Sequence, residues 1–266
     1  MHPILFKLGP FTCYSYGLML AVAYLVSSSL AARYARRIGA KIHQDQLANL
    51  FFFTLVGGIV GARVLYIAIN WDFYSVNLYQ ILRLDHGGLV WYGGFLAGFL
   101  VALFYLWIKK IPFLETADLV SPYLALAHSI GRIGCFLNGC CFGKPTHSIF
   151  GVYFPNRLIP IHPTQLYSSI GLFVIFLALL QWRKRKRFTG EIGLAYLFLY
   201  SLGRFGVEFL RGDSLPVWSG LTLAQLISIP LAILSGALLF IFRQKKGQGL
   251  YDNEIDFPVV LPRGTT

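Results

Sequence analysis

The chain has 266 residues, of which 56% are hydrophobic and only 13% charged, against about a quarter charged in an ordinary soluble domain. A mean hydropathy of +0.62 with 16% aromatic residues gives more apolar surface than one water-facing core hides, which excludes an ordinary soluble globule. The net charge of +12 falls in short basic clusters between apolar runs, unlike a nucleic-acid-binding face, and four cysteines are too few for a disulfide framework.

A helix needs about 20 apolar residues to cross the hydrocarbon. Seven windows meet that length: 14–35, 49–69, 88–108, 117–136, 167–182, 190–209 and 222–242. The start of the chain lacks a basic segment and a small-residue cleavage site, so the first window reads as a retained span. Lysines and arginines in the loops set the orientation. Fourteen lie on one side, including Arg33, Arg36, Arg37, Lys41, Lys109, Lys110, the run from Arg183 to Arg187, Arg243, Lys245 and Lys246. The other side carries five: Lys7, Arg83, Lys144, Arg157 and Arg211. The expectation is an all-α integral membrane protein with seven transmembrane helices, a periplasmic N-terminus and a cytoplasmic C-terminus. Residues 1–246 form one seven-span membrane domain, followed by a polar cytoplasmic tail over 247–266.

Ionisable side chains within a bilayer are costly and mark function. Here they cluster in windows that run outward: Arg63 in the second, Arg132 at the end of the fourth, and Arg204, Glu208 and Arg211 in or just beyond the sixth. Tyr200, Arg204, Glu208 and Arg211 are spaced by 4, 4 and 3, which places them on one helical stripe. That stripe faces the bundle interior. Arg204 and Glu208 are also spaced for an internal i,i+4 ion pair that neutralises itself.

Arg132 lies in GRIGCFLNGCCFG at 131–143, whose glycines disfavour a plain helix. Exposed amides and a guanidinium fork suit a phosphate, with Asn138 adding an amide; close packing of small residues is the alternative. A second glycine-rich element, HGGLVWYGG at 86–94, opens the third window at the same surface, with Trp91 and Tyr92 either interfacial anchors or site residues. HPTQLY at 162–167 begins the fifth window, where Pro163 suits a first helical turn and His162 either caps or faces the site. Tyr16 joins the same level from the first window. Cys135, Cys140 and Cys141, with a C-x4-C-C spacing, do not follow the usual zinc ligand pattern, and no metal site is expected. The arginines, glycines and aromatics thus converge on the outer leaflet, where the natural ligand is an anionic lipid headgroup.

Taken together, YGLM at 16–19, GARVLY at 61–66, HGGLVWYGG, GRIGCFLNGCCFG, HPTQLY and GRFGVEFLRGD at 203–213 resemble the bacterial prolipoprotein diacylglyceryl transferases. The resemblance runs in order over residues 10–242, and GRxGxFxNG is its specific element. It implies a multi-pass enzyme of the bacterial inner membrane, with its active site toward the periplasm. Such an enzyme moves the diacylglyceryl group of phosphatidylglycerol onto the lipobox cysteine of a prolipoprotein signal peptide and releases glycerol phosphate. Membrane lipid and the precursor are the implied partners; no nucleic acid, metal or organic cofactor is implied.

By that resemblance Arg132 and Arg204 match the two arginines thought to hold the phosphate, and Tyr16, Asn138, Gly143 and Glu208 match other functional positions. Arg63 and His162 are further candidates for the headgroup. Two positions depart from the pattern: Tyr92 stands where many members have a histidine proposed as base, and Cys135 where many have asparagine. Tyrosine is a poor base near neutral pH, so Tyr92 is a candidate catalytic residue whose role differs from histidine's, while His86 lies six residues upstream. A lipid or organic-anion transporter would also use an arginine pocket at membrane depth, but the sequence shows no pseudo-repeat. An intramembrane scaffold would leave the arginine stripe unexplained.

Overall fold

A computed structural model describes residues 2–8, 11–82, 88–155 and 158–252. Arg83, His86, Gly87 and Arg157, together with the tail beyond 252, lie outside the described residues, and with them the expectations placed on them.

The protein is predominantly helical. The long helices are α1 (Ser15–Arg37), α2 (Gln44–Ile69), α4 (Trp91–Ile108), α5 (Phe113–Asn138), α6 (Thr164–Trp182), α7 (Glu191–Glu208) and α8 (Leu223–Asp252). Between α2 and α4 come the short α3 (Trp71–Val76) and a 3-10 turn at Leu78–Leu82. Each long helix overlaps one apolar window of the sequence. Five of them (α1, α2, α4, α6 and α8) are long and apolar enough to cross a membrane. In those five, at most 28% of the most apolar stretch is buried within the protein, so side chains such as Phe95, Leu96, Phe104, Ile170 and Phe240 stay exposed. Apolar surface on that scale needs a cover other than water.

Several boundaries differ from those read in the sequence. Before α1, strand β1 (Ile4–Leu8) pairs antiparallel with β2 (Phe11–Tyr14), and Tyr14 sits opposite Ile4 and not in the helix. Helix α2 starts earlier than its apolar window because the Gln46 side-chain oxygen accepts the His43 backbone N–H at 3.0 Å, satisfying a free amide of the first turn. Helix α5 carries Pro122 and α8 carries Pro230. Helix α8 runs beyond its apolar window, to Asp252. A second hairpin, β3 (Pro216–Trp218) with β4 (Leu221–Thr222), joins α7 to α8 through Ser219 and Gly220, both at positive φ.

The chain divides into two compact units, Leu25–Leu119 and Met1–Tyr24 with Val120–Thr266. In the first, α2 and α4 pack through small residues: a Cβ added to Gly61 would overlap the Ala97 Cβ and lie 2.6 Å from the Gly93 carbonyl, and one on Gly94 would lie 3.0 Å from the Gly58 carbonyl. Such glycines let membrane helices approach backbone to backbone. Gly93 and Gly94, which in the sequence follow Trp91 and Tyr92 in the glycine-rich element, therefore serve helix packing. Gly61→Ala is expected to cost about 1–3 kcal/mol of stability through overpacking, read as a lowered unfolding temperature in detergent. Gly171→Ala, which meets nothing within 4 Å, is the control expected to cause no loss.

In the second unit, α5 and α6 exchange hydrogen bonds, Ser129 Oγ to the Ser169 carbonyl at 2.8 Å and Ser169 Oγ to the Ser129 carbonyl at 2.9 Å. The start of α7 is tied to the ends of α6 and α8 by Glu191, whose buried carboxylate accepts from Trp182 Nε1 at 2.8 Å, Arg243 Nε at 2.7 Å and the Arg187 N–H at 2.6 Å. A buried carboxylate is tolerated because each oxygen is hydrogen-bonded. The opposite ends of these helices carry the candidate site.

Candidate active site

Helix α5 ends at Asn138, and Gly139 follows in the left-handed region (φ 77°), the usual way to close a helix C-terminus. The chain then turns through Cys140 and Cys141 to Gly143, where three separated segments meet. The Gly143 N–H donates to the His162 carbonyl at 2.9 Å, the Lys144 N–H to the Leu210 carbonyl at 2.8 Å, and the Gly212 N–H to the Phe142 carbonyl at 3.2 Å. A Cβ on Gly143 would lie 2.6 Å from both the Cβ and the carbonyl oxygen of His162, and 2.8 Å from the Leu210 carbonyl. Gly143 is a backbone crossing that joins the end of α5, the entry to α6 and the exit from α7.

The first residues of α6 reinforce this crossing. Thr164 Oγ1 donates to the Cys141 carbonyl at 2.8 Å and Gln165 Nε2 to the Cys140 carbonyl at 2.6 Å, with both side chains buried. Sequence reading passed over these two residues although they lie inside HPTQLY; buried polar types at a helix start were the available signal. His162 itself pairs through Nδ1 with the Tyr167 hydroxyl at 3.2 Å.

The charged stripe of α7 folds as its spacing requires. Arg204 Nη1 lies 2.8 Å from Glu208 Oε2, and Glu208 is 4% exposed. Thr222 Oγ1 donates to Glu208 Oε1 at 3.0 Å, a contact from β4 that sequence reading missed. Arg211 Nε is 3.9 Å from Glu208, but its main partner is Asp213, reached by Nε at 2.9 Å and Nη2 at 2.8 Å. Burial opposes the charge on Arg211, and Asp213 more than offsets it, so that guanidinium is held above its ordinary pKa.

Arg132, one face along α5, is different: among the described residues its guanidinium has neither an ion pair nor a hydrogen-bond partner. It interacts electrostatically with Arg204, so a second cation acts on the region of the Arg204–Glu208 pair. One turn before each arginine, His128 and Tyr200 stack at 5.4 Å between ring centroids, and His128 Nδ1 lies 3.4 Å from the Tyr196 hydroxyl. These rings, Tyr196 buried and the other two half-buried, tie α5 to α7 one turn before the arginines. Tyr16 approaches from α1, where a Cβ on Gly134 would lie 3.3 Å from its ring and 2.9 Å from the Met19 Cβ. Asn138 is exposed at the end of α5. Beside it, the Cys141 thiol is pushed below its ordinary pKa, first by contacts with Cys135 and Cys140, against burial, with Arg211 and Arg132 assisting.

The remaining candidates lie in the unit Leu25–Leu119. Arg63 is 7% exposed and donates to backbone carbonyls: Nη2 to Gln80 at 2.8 Å, Nε to Ile81 at 3.1 Å and Nη1 to Gly88 at 3.2 Å. Its guanidinium also lies 5.3 Å from the Tyr74 ring centre and 5.7 Å from that of Tyr66. Gly88, at φ 82°, passes so close that a Cβ would sit 2.6 Å from Arg63 Nη1. The guanidinium thus pins the segment ahead of α4. Tyr92 is half exposed in the first turn of α4, edge-on to Trp91.

Comparison with known proteins bears on this arrangement. The family model for prolipoprotein diacylglyceryl transferase matches residues 3–241. The chain belongs to the prolipoprotein diacylglyceryl transferase family. The phosphatidylglycerol–prolipoprotein diacylglyceryl transferase of Clostridioides difficile (strain 630) is 36% identical over 239 residues, covering 90% of this chain and 94% of that protein. The enzymes of the same name from Staphylococcus aureus strains JH9 and Mu50 are each 34% identical over 261 residues, covering 94% of this chain and 92% of theirs. In this prolipoprotein diacylglyceryl transferase family member the crossing at Gly143, the arginines of α5 and α7 and the entry to α6 all fall within the matched region.

Proposed function

We propose that the protein transfers the diacylglyceryl group of phosphatidylglycerol to the lipobox cysteine of a prolipoprotein, the first step of lipoprotein maturation. The observation that carries this reading is Arg132, a cation beside the Arg204–Glu208 pair with no partner of its own among the described residues. A cation at membrane depth calls for an anion, and a lipid phosphate supplies one.

The chemistry is a displacement at carbon. The acceptor thiol loses its proton, the thiolate sulfur bonds to the glycerol carbon that carries the phosphodiester, and the carbon–oxygen bond breaks. The electron pair leaves with glycerol phosphate, whose negative charge grows in the transition state. Arg132 and Arg204 meet that growing charge in a water-poor setting, where fixed donors are most effective. A thiol with a pKa of about 8.5 needs modest help to ionise near neutral pH, and two guanidinium groups supply a favourable potential. Glu208 keeps Arg204 in place. Tyr16, Asn138 and His162 complete the headgroup surroundings in this reading, and Arg63 acts by holding the approach to α4.

The same reading places seven spans in the cytoplasmic membrane, with the N-terminus and the site toward the periplasm. A cysteine introduced at exposed His147 should react with an impermeant maleimide in intact cells, above the background of the parent, and one at Lys109 only after permeabilisation. The reverse pattern would invert the topology.

Tyr92 is proposed to position the thiol or the headgroup through its hydroxyl, which donates and accepts at neutral pH. Tyr92→Phe should slow transfer moderately, and Tyr92→His should keep substantial activity. Loss of all turnover in Tyr92→Phe, at a pH where the peptide thiol is already ionised, would require a chemical role instead.

Transfer itself is tested by incubating purified protein with labelled phosphatidylglycerol and a lipobox peptide. Label should appear on the cysteine with one equivalent of glycerol phosphate released, and a Cys to Ser peptide should acquire none. Headgroup release without peptide labelling would replace the transferase with a hydrolase.

A further inference from the structure

The end of α5 gathers three of the four cysteines. Cys135 lies in the last turn of the helix, and the left-handed residues Gly139 (φ 77°) and Cys141 (φ 60°) fold the chain back onto it. As a result the sulfur atoms of Cys135, Cys140 and Cys141 all lie within 4.8 Å of one another. The spacing C-x4-C-C gave no reason to expect this, because spacing patterns for metal ligands assume regular turns and hairpins. All three thiols are free and half-buried. The turn is held from outside by the buried Thr164 and Gln165 through the Cys141 and Cys140 carbonyls. A left-handed conformation is uncommon for a residue with a side chain, and here it is what turns the Cys141 thiol toward the other two.

The donor set decides what such a site accepts. A metal–sulfur bond of about 2.3 Å puts ligand sulfurs about 3.8 to 4.0 Å apart in a tetrahedral or trigonal arrangement, so each sulfur needs to close in by less than about 1 Å. Three sulfur donors, with no carboxylate or imidazole in the cluster among the described residues, favour soft d10 ions and disfavour magnesium or calcium. Arg132 and Arg211 lie close enough to Cys141 to interact with it electrostatically, which offsets the negative charge that three thiolates would bring together.

We propose that Cys135, Cys140 and Cys141 form a three-thiolate binding site for a thiophilic d10 cation, of the copper(I), zinc or cadmium class. The site is defined by its own ligands and takes no part in the transfer chemistry above, so its failure leaves that reading untouched.

Cadmium(II) is the probe. Titrated into reduced, detergent-purified full-length protein, it should produce a thiolate-to-metal charge-transfer absorption that saturates at one ion per chain. Cys135→Ser, Cys140→Ser and Cys141→Ser should each weaken binding at least roughly tenfold and reduce the absorption, while Cys13→Ser changes neither. Unfolding temperatures that match the parent establish that the variants are folded. In the unaltered protein, cadmium should also slow iodoacetamide alkylation of the three clustered cysteines but not of Cys13, as read by peptide mass, which needs no variant. Absence of the absorption, binding that survives all three substitutions, or equal alkylation with and without cadmium would each overturn the site. So would zinc and silver(I) both failing to displace the bound cadmium, since a thiolate trio exchanges soft ions.

Discussion

Arg132→Ala is expected to lower transfer by about 30- to 1,000-fold, the scale of about 2–4 kcal/mol for one preorganised donor facing charge that develops in the transition state. The protein should remain folded, because Arg132 supports no ion pair or hydrogen bond among the described residues. That makes it a cleaner test than Arg204, whose removal would leave the buried Glu208 carboxylate with Thr222 Oγ1 at 3.0 Å and Arg211 Nε no nearer than 3.9 Å. Stripping a partner from a buried charge destabilises the fold as well as the chemistry. Arg132→Lys is also expected to be impaired, since a point charge does not reproduce the planar fork that grips two phosphate oxygens. The measurement is label transfer to a lipobox peptide, with the unfolding temperature recorded alongside. Near-normal turnover in Arg132→Ala would remove the phosphate clamp from the mechanism.

The sequence made the helices legible because apolar length and charge are local properties. All seven windows coincide with long helices, and the i,i+4 spacing of Arg204 and Glu208 is realised as a 2.8 Å ion pair. Contacts between distant segments left weaker traces. Arg63 looked like a headgroup ligand because an arginine in an apolar run signals function; that it meets the Gln80, Ile81 and Gly88 carbonyls is a contact between separated parts of the chain, which no periodicity encodes. The glycines of GRIGCFLNGCCFG were legible as close approach but not as approach to what. Gly134 makes room for Tyr16 and Met19, and Gly143 for backbone, while the anion reading concerned amides left open. The N-terminal hairpin escaped because Ile4–Leu8 carries no strong alternation, and β4 escaped because two residues are too few for any pattern. Thr222 on that strand nevertheless donates the hydrogen bond to Glu208 Oε1.

Gly143→Ala is expected to reduce transfer by roughly 100-fold or more, comparable to a misplacement of about 1 Å at a reacting centre. The reason is space and not backbone preference, since Gly143 is not among the residues at positive φ. One methyl group would sit 2.6 Å from the Cβ and the carbonyl oxygen of His162 and 2.8 Å from the Leu210 carbonyl. Two of those three neighbours are backbone atoms that cannot rotate away as a flexible side chain would. Relief therefore comes from spreading the crossing, which lengthens the Gly143–His162 and Lys144–Leu210 hydrogen bonds of 2.9 and 2.8 Å. Spreading shifts the end of α5 with Arg132 relative to the end of α7 with Arg204 and Glu208. The two guanidinium groups would then no longer meet one phosphate together. The loss should appear mainly in kcat, because lipid can still reach either arginine alone. Adding higher concentrations of phosphatidylglycerol should not restore the rate. A Gly143→Ala enzyme with normal kcat would show that the arginines keep their alignment without the crossing, and that some other contact between α5 and α7, with the His128–Tyr200 stack the first to test, sets the geometry of the site.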